Sequence, residues 1–149
     1  MGTPCRTLAS YAIYQNHLSM VADYPSAYRD HPALPVLVQI PTAWDDTRVV
    51  SGSVGEYIVI ARRQADTWYV GAMNDRQQRT LPVSLAFLGR GRYRAEIYAD
   101  DPGGSRDREL SRRAQVVTAA DKLEARLEPA GGHLIRLTLL AGANRSPGR

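Results

Sequence analysis

Hydrophobic and polar residues alternate along much of the chain after Val49, with the period of two that a half-buried β-strand requires. In one stretch Tyr93, Ala95, Ile97 and Ala99 alternate with Arg92, Arg94, Glu96 and Tyr98; in another Leu123, Ala125 and Leu127 alternate with Lys122, Glu124, Arg126 and Glu128. Both stretches are predicted to be strands with one face in a core and the other toward solvent.

Two runs are apolar on both faces, residues 56–62 and 68–73. A strand that is covered on both sides has this pattern, so the pair is predicted to lie centrally in a sheet. Gln64, Ala65 and Asp66 between the runs predict a hairpin.

Turn residues divide the rest of the chain into short segments at 89–91, 101–104 and 129–132. The resulting spacing is typical of antiparallel sandwiches and predicts a mainly β fold, an antiparallel β-sandwich of about eight strands. Residues 106–113 are predicted to be an exposed loop. Residues 142–149 lack the apolar side chains that would order them and are predicted to be a disordered tail.

The N-terminal part has a helical period instead. Leu8, Tyr11, Leu18 and Val21 recur at helical spacing, with Thr3 as N-cap, and the helix is predicted to run from Pro4 to Asp23. Four prolines between 25 and 41 then predict a short helical turn and an irregular connection. We therefore expect a helix and linker over 1–40, a sandwich over 41–141 and the tail over 142–149.

Composition excludes several classes of protein. No apolar run approaches the length of a membrane span, and the first residues do not form a secretory signal. The net charge of +4 is dispersed, which does not favour nucleic-acid binding. Cys5 is the only cysteine, so neither an intramolecular disulfide nor a cysteine-based zinc site is expected.

Candidate catalytic groups are few. Adjacent Asp45 and Asp46 would point to opposite sides of an extended segment, which favours a turn or cap over a paired-carboxylate site. Residues 100–104 lack the ligand alternation of a calcium loop and favour a hairpin turn. The three histidines, His17, His31 and His133, are not at metal-ligand spacing, and residues 52–55 lack the flanks of a nucleophile elbow.

Aromatic residues offer an alternative, because an aromatic ring can stack on a sugar. Strand aromatics are more often core residues. A carbohydrate-binding module would need at least two of Trp44, Trp68, Tyr69 and Tyr98 to be exposed together.

Residues 41–50 (Pro-Thr-Ala-Trp-Asp-Asp-Thr-Arg-Val-Val), then 52–63 and 68–73 (Trp-Tyr-Val-Gly-Ala-Met), closely resemble the C-terminal domain of glycoside hydrolase family 97. Residues 91–100 fit the same family, so the resemblance spans about 41–140. Upstream, residues 18–28 resemble the last helix of the family's catalytic barrel and its linker.

The resemblance implies a parent enzyme with an N-terminal β-sandwich, a (β/α)₈ barrel and this C-terminal sandwich. The barrel would cleave α-glucosidic or α-galactosidic bonds with calcium assistance, and the family is commonly periplasmic or secreted. No catalytic or calcium-binding residue is carried over, because those carboxylates belong to barrel strands that would precede Met1. Asp46 also departs from the family's usual Glu in the Trp-Asp-Glu-Thr pattern.

The sequence thus predicts a non-catalytic C-terminal module of a family 97 enzyme, truncated before the barrel, with no cofactor of its own. It would pack on the barrel or self-associate through an exposed helix. Candidate sugar or barrel contacts are Trp44, Asp45, Asp46 and Trp68. A carbohydrate-binding module is the alternative, and a residual hydrolase using Asp45 or Asp46 is a third reading. Deletion, a misplaced start and a separate partner chain all stay open as reasons for the absent barrel.

Overall fold

The computed structural model describes residues 2–15, 20, 24, 26, 29, 31–101, 103 and 110–140. Two helices and eight strands lie within these ranges. The helices are α1 (Pro4–Ile13) and α2 (Leu34–Leu37). The strands are β1 (Asp46–Ser53), β2 (Tyr57–Gln64), β3 (Thr67–Asn74), β4 (Arg79–Ser84), β5 (Tyr93–Asp100), β6 (Leu110–Val117), β7 (Lys122–Leu127) and β8 (Gly132–Leu139).

The strands form two antiparallel sheets of unequal size. The larger has six strands in the order β1-β2-β3-β8-β5-β6, and the smaller pairs β4 with β7. The mainly β fold with about eight antiparallel strands is therefore confirmed. The predicted hairpin is also present, since β2 ends at Gln64 and β3 begins at Thr67.

The main core lies between the two sheets. Val70, Ile97 and Ile135 of the large sheet pack against residues of the small one, and each of these three is at most 1% exposed. The small sheet contributes Leu81, Val83, Leu123, Ala125 and Leu127. In β7 buried and exposed residues alternate along the whole strand, as its sequence predicts.

Helix α1 covers the other face of the large sheet. Leu8 and Ala12 pack against Tyr69, Tyr98 and Leu134. The helix approaches so closely that a Cβ at Gly71 would lie 2.8 Å from Cγ1 of Ile13, and one at Gly132 would overlap the backbone of Arg6. The molecule thus has three layers: helix, large sheet and small sheet.

The helix differs from its predicted extent. It ends at Ile13, because Tyr14 has an extended backbone with ψ of 138°. Leu18 and Val21, which the prediction placed on its apolar stripe, lie outside the described residues. The expectation that this stripe is exposed is wrong at Leu8, which is 3% exposed, because the helix folds back onto the sheet. The predicted helical turn before Pro41 is α2.

Two predictions about strands are wrong. The outward face of β5 is solvated at Arg94 but not further along the strand, since Glu96 is 8% and Tyr98 2% exposed. Tyr98 is covered by the cluster around Leu8 of α1. The predicted loop over 106–113 is too long at its end, because Leu110 begins β6; residues 106–109 and the tail over 142–149 lie outside the described residues.

Replacing Gly132 with alanine should destabilise the fold. The new Cβ would overlap the backbone of Arg6 and lie 2.5 Å from the carbonyl oxygen of Cys5, and neither can yield as a flexible side chain does. We expect the free energy of unfolding in urea to fall by about 1–3 kcal/mol. The control is Gly52→Ala, whose nearest neighbour is at 3.4 Å and which should change it by about 0.5 kcal/mol at most. Equal losses of unfolding free energy in the two variants would contradict close packing of α1 on the large sheet.

Candidate functional site

Trp44 lies where the chain enters β1, on the helix-covered side of the large sheet. Its ring meets that of Tyr69 edge to face, with centroids 5.6 Å apart and planes at 72°. The guanidinium of Arg62 lies 5.7 Å from the Trp44 ring centroid. The Trp44 side chain is half-buried, so part of it stays accessible to a partner.

Arg62 connects this tryptophan to α1. Its Nη2 donates to the carbonyl oxygen of Ile13 at 2.9 Å and its Nη1 to that of Tyr14 at 3.3 Å. These carbonyls are at the C-terminus of α1, where a cation is favourable. Burial lowers the pKa of Arg62 from its usual value. Arg62 was not among the site residues predicted from the sequence, although a cation near the end of an apolar strand was a visible signal.

Trp68 lies on the opposite face of the same sheet from Trp44. It is the residue before Tyr69 in β3, and successive strand residues point to opposite faces. Its ring packs on Phe87, with centroids 4.8 Å apart, and it is 6% exposed. The structure therefore does not bring Trp44 and Trp68 together.

The remaining strand aromatics are also core residues. Tyr69 is 3% and Tyr98 2% exposed, and the hydroxyl of Tyr69 donates to the carbonyl oxygen of Gln39 at 2.7 Å. The condition set for a carbohydrate-binding module, two of these four aromatics exposed together, is not met.

Asp45 and Asp46 make separate local contacts, one to backbone and one to a side chain. Oδ2 of Asp45 accepts the N–H of Ala65 at 2.7 Å, in the hairpin where Ala65 has φ of 49°. Asp46 lies in β1 and pairs with Arg48 at 3.0 Å. The turn role expected for Asp45 is confirmed, and the two carboxylates have separate partners.

Glu96 forms the best-connected ion cluster on the helix-covered side. Its carboxylate accepts from Arg112 at 2.7 Å and from Arg136 at 2.8 Å. Burial acts to raise the pKa of Glu96, but these two hydrogen bonds hold it below its usual value. A carboxylate kept charged in this way is a poor general acid.

Burial raises the pKa of the Asp100 carboxyl above its usual value. Its Oδ2 accepts the N–H of Gly132 at 3.0 Å, which places the start of β8. Asp101 accepts the N–H of Gly103, as in a turn. Within the ranges that the structure describes, no group of three or more His, Cys, Asp or Glu is placed to hold a metal ion.

The described histidines are structural. His133 is 1% exposed, and His31 accepts the N–H of Ala33 at 3.1 Å through Nδ1. His17 lies outside the described residues. Burial, with Arg113 nearby, lowers the pKa of His133 to about 4.

Exposed apolar side chains are frequent in the α1–β1 connection, defined as the described residues between the two elements (14, 15, 20, 24, 26, 29 and 31–45). Val38 is 72% and Met20 75% exposed, and Tyr14 and Tyr24 are also exposed. Val36, two residues before Val38, is buried against the large sheet, so the connection is anchored on one side and apolar on the other. Such a patch is typical of an interface. None of the described helices is long and apolar enough to cross a membrane.

Comparison with known proteins adds three findings. Residues 43–138 match the family described as "Glycosyl-hydrolase 97 C-terminal, oligomerisation". The chain is 36% identical to the retaining alpha-galactosidase of Bacteroides thetaiotaomicron over 138 residues, which is 91% of the chain and 21% of that protein. It is 32% identical to a probable retaining alpha-galactosidase of Streptomyces bingchenggensis, over 80% of the chain and 18% of that protein. The chain thus spans about a fifth of the length of these curated relatives.

Solved structures give the same match in three dimensions. A glycoside hydrolase family 97 enzyme of Pseudoalteromonas sp. strain K8, in complex with acarbose, aligns with a TM-score of 0.86 and 34% identity. The alignment covers 93% of this chain and 23% of that one. A beta-arabinopyranosidase aligns with a TM-score of 0.76 and 33% identity, over 91% of this chain and 21% of that one.

Acidification should weaken the fold through His133. Its pKa is about 4 in the folded state and about 6.5 when unfolded, so the unfolded chain binds the proton first and stability falls as pH falls. We expect a loss of about 2 kcal/mol between pH 7 and pH 5, measured by urea unfolding.

His133→Gln should flatten this slope, and His31→Gln is the control that should keep it. If His133→Gln does not fold, NMR titration of the His133 imidazole in the native chain gives its pKa directly. A pKa near 6.5 would refute the prediction.

Proposed function

Since the chain belongs to the glycosyl-hydrolase 97 C-terminal family, we propose that it is a non-catalytic β-sandwich module that packs against the catalytic barrel of a family 97 enzyme. One observation carries this proposal: 93% of the chain aligns with only 23% of a family 97 enzyme. In this proposal the rest of such an enzyme, which includes the barrel, is the partner against which the module packs.

The α1–β1 connection is the proposed docking surface. Val36 anchors it to the large sheet from within, while Val38 and Met20 present apolar surface outward. Burying such side chains contributes about 1.5–3 kcal/mol each. Trp44, near the end of the connection, lies on the same side of the sheet, so it joins the proposed contact, with Asp45 at its rim.

The chemistry of the carboxylates supports a non-catalytic role. A glycosidase needs two acids on either side of one scissile bond, one of them protonated at working pH. Here Asp45 binds a turn, Glu96 is held by two arginines, and Asp100 positions β8. Catalysis, calcium binding and sugar specificity belong in this proposal to the barrel, which would act on α-galactosidic or α-glucosidic bonds.

Docking can be tested in a chimera of the Bacteroides alpha-galactosidase that carries this chain in place of its matching C-terminal region. Val38→Asp should lower the melting temperature of the chimera, because it puts a charge into the proposed contact. In the isolated chain the same change should alter stability by about 0.5 kcal/mol at most, since Val38 is exposed.

Val54→Asp is the matched control. This valine is fully exposed at the tip of the β1–β2 hairpin, and its replacement should affect neither protein. A chimera whose melting temperature ignores Val38→Asp would refute docking through the connection.

Asp45→Asn and Asp46→Asn should leave kcat of the chimera on an aryl α-galactoside within about twofold, because neither carboxylate is placed for acid or nucleophilic catalysis. The isolated chain should give the same background rate with and without the substitutions. A drop of about a hundredfold or more in either variant would instead assign that aspartate to the reaction.

A further inference from the structure

Strand β6 is an outer strand of the large sheet that neither neighbouring layer covers. Among the strands that the structure describes it is hydrogen-bonded to β5 alone, and every residue from Ser111 to Val116 is exposed. Residues of one strand point alternately to the two faces, so exposure of all of them means that both faces are open. Only the ends, Leu110 and Val117, are buried.

The free backbone groups of β6 can be identified from the ladder. Leu140 donates its N–H to the carbonyl oxygen of Arg92 at 2.8 Å, in register with the β5–β8 pairing. Residues of an antiparallel strand bond alternately to its two neighbours, so the even-numbered residues of β5 bond to β8 and the odd-numbered ones to β6. The N–H and C=O groups of Arg112, Ala114 and Val116 therefore point away from β5.

The opposite edge of the sheet is protected and β6 is not. The β1–β2 ladder shifts register between Val49 and Ser51, and a bulge of this kind hinders pairing with another strand. The β5–β6 register runs without interruption from Tyr93 to Asp100. Strand β6 is thus the regular, open edge.

We infer that β6 pairs antiparallel with β6 of a second copy of this chain, around a two-fold axis at Ala114, and joins the large sheets of both copies into one. The inference rests on the proposed function, because it locates the oligomerisation surface of a module in a family described by that property. The pairing would add about six backbone hydrogen bonds from groups that point away from β5.

The charge pattern is compatible with this axis and excludes two others. With Ala114 opposite its own copy, Arg112 faces Val116 and Arg113 faces Gln115, so no two arginines are directly opposed. An axis at Arg112 or Arg113 would oppose an arginine to itself, which is unfavourable. Glu96 also neutralises Arg112, through a contact of 2.7 Å.

Proline at position 114 tests the pairing. Ala114→Pro removes an N–H that points outward and leaves the bonds to β5, and proline is tolerated in this position of an edge strand. We expect the dimer dissociation constant, measured by sedimentation equilibrium, to rise about tenfold or more. Ala114→Ser keeps the N–H and should retain the wild-type value.

A cysteine at position 114 gives a second readout. In the proposed dimer Ala114→Cys would face its own copy within disulfide distance, and mild oxidation should yield a covalent dimer. Arg126→Cys is the control, because that residue is exposed on β7 of the other sheet and should not crosslink. Cys5 is buried and does not compete.

The outcomes separate this inference from barrel docking. A wild-type chain that is monomeric throughout the micromolar range, or a dimer that Ala114→Pro leaves unchanged while Ala114→Cys fails to crosslink, would overturn pairing through β6. Neither result predicts a change in the melting temperature of the Val38→Asp chimera, because that measurement tests docking on the barrel alone. If Ala114→Pro does not fold, crosslinking at position 114 decides.

Discussion

The close contact between α1 and the large sheet is the constraint on which the rest of the structure depends. It exists because β3 and β8 carry glycine where the helix backbone passes, at Gly71 and Gly132. At this distance the helix covers a face that a simple sandwich would leave to solvent. The polar groups around it then need partners: Arg62 binds the helix end, and the Cys5 thiol donates to the carbonyl oxygen of Tyr98 at 3.2 Å.

This covering layer also makes the two faces of the large sheet different. Helix α1, Trp44 and the buried residues Ala33 and Val36 of the α1–β1 connection lie on one face of the large sheet, and the small sheet closes the other. Trp68 belongs to the closed side. Consecutive residues of β3 therefore serve different purposes, with Trp68 in the main core and Tyr69 beneath the connection.

The sequence predicted the fold where burial is a local matter. In β7 one face meets the core and the other meets water, so alternation alone identified the strand and its inward residues. It failed for Tyr98 because its cover comes from α1, some ninety residues earlier in the chain. It failed for Glu96 because two arginines of neighbouring strands, Arg112 and Arg136, enclose its carboxylate. The end of α1 could not be predicted either, because no glycine or proline marks Tyr14. The carbonyl oxygens there accept hydrogen bonds from Arg62, whose position depends on the folded sheet.

At the site, residue chemistry predicted the turn role of Asp45 but not the separation of Trp44 from Trp68. The strand pattern places Trp68, whereas Trp44 lies in an irregular entry whose direction is decided by the ring of Tyr69 and the guanidinium of Arg62. Such contacts join residues that are distant in sequence and leave no periodic signal.

The open edge of the large sheet has a consequence for the architecture of an enzyme that carries this module. A two-fold axis normal to a sheet keeps each face on its own side, so two modules joined edge to edge would present both of their connections in the same direction. Two catalytic domains would then lie side by side on the same face of the continuous sheet. The right-handed twist of the joined strands would set the angle between them.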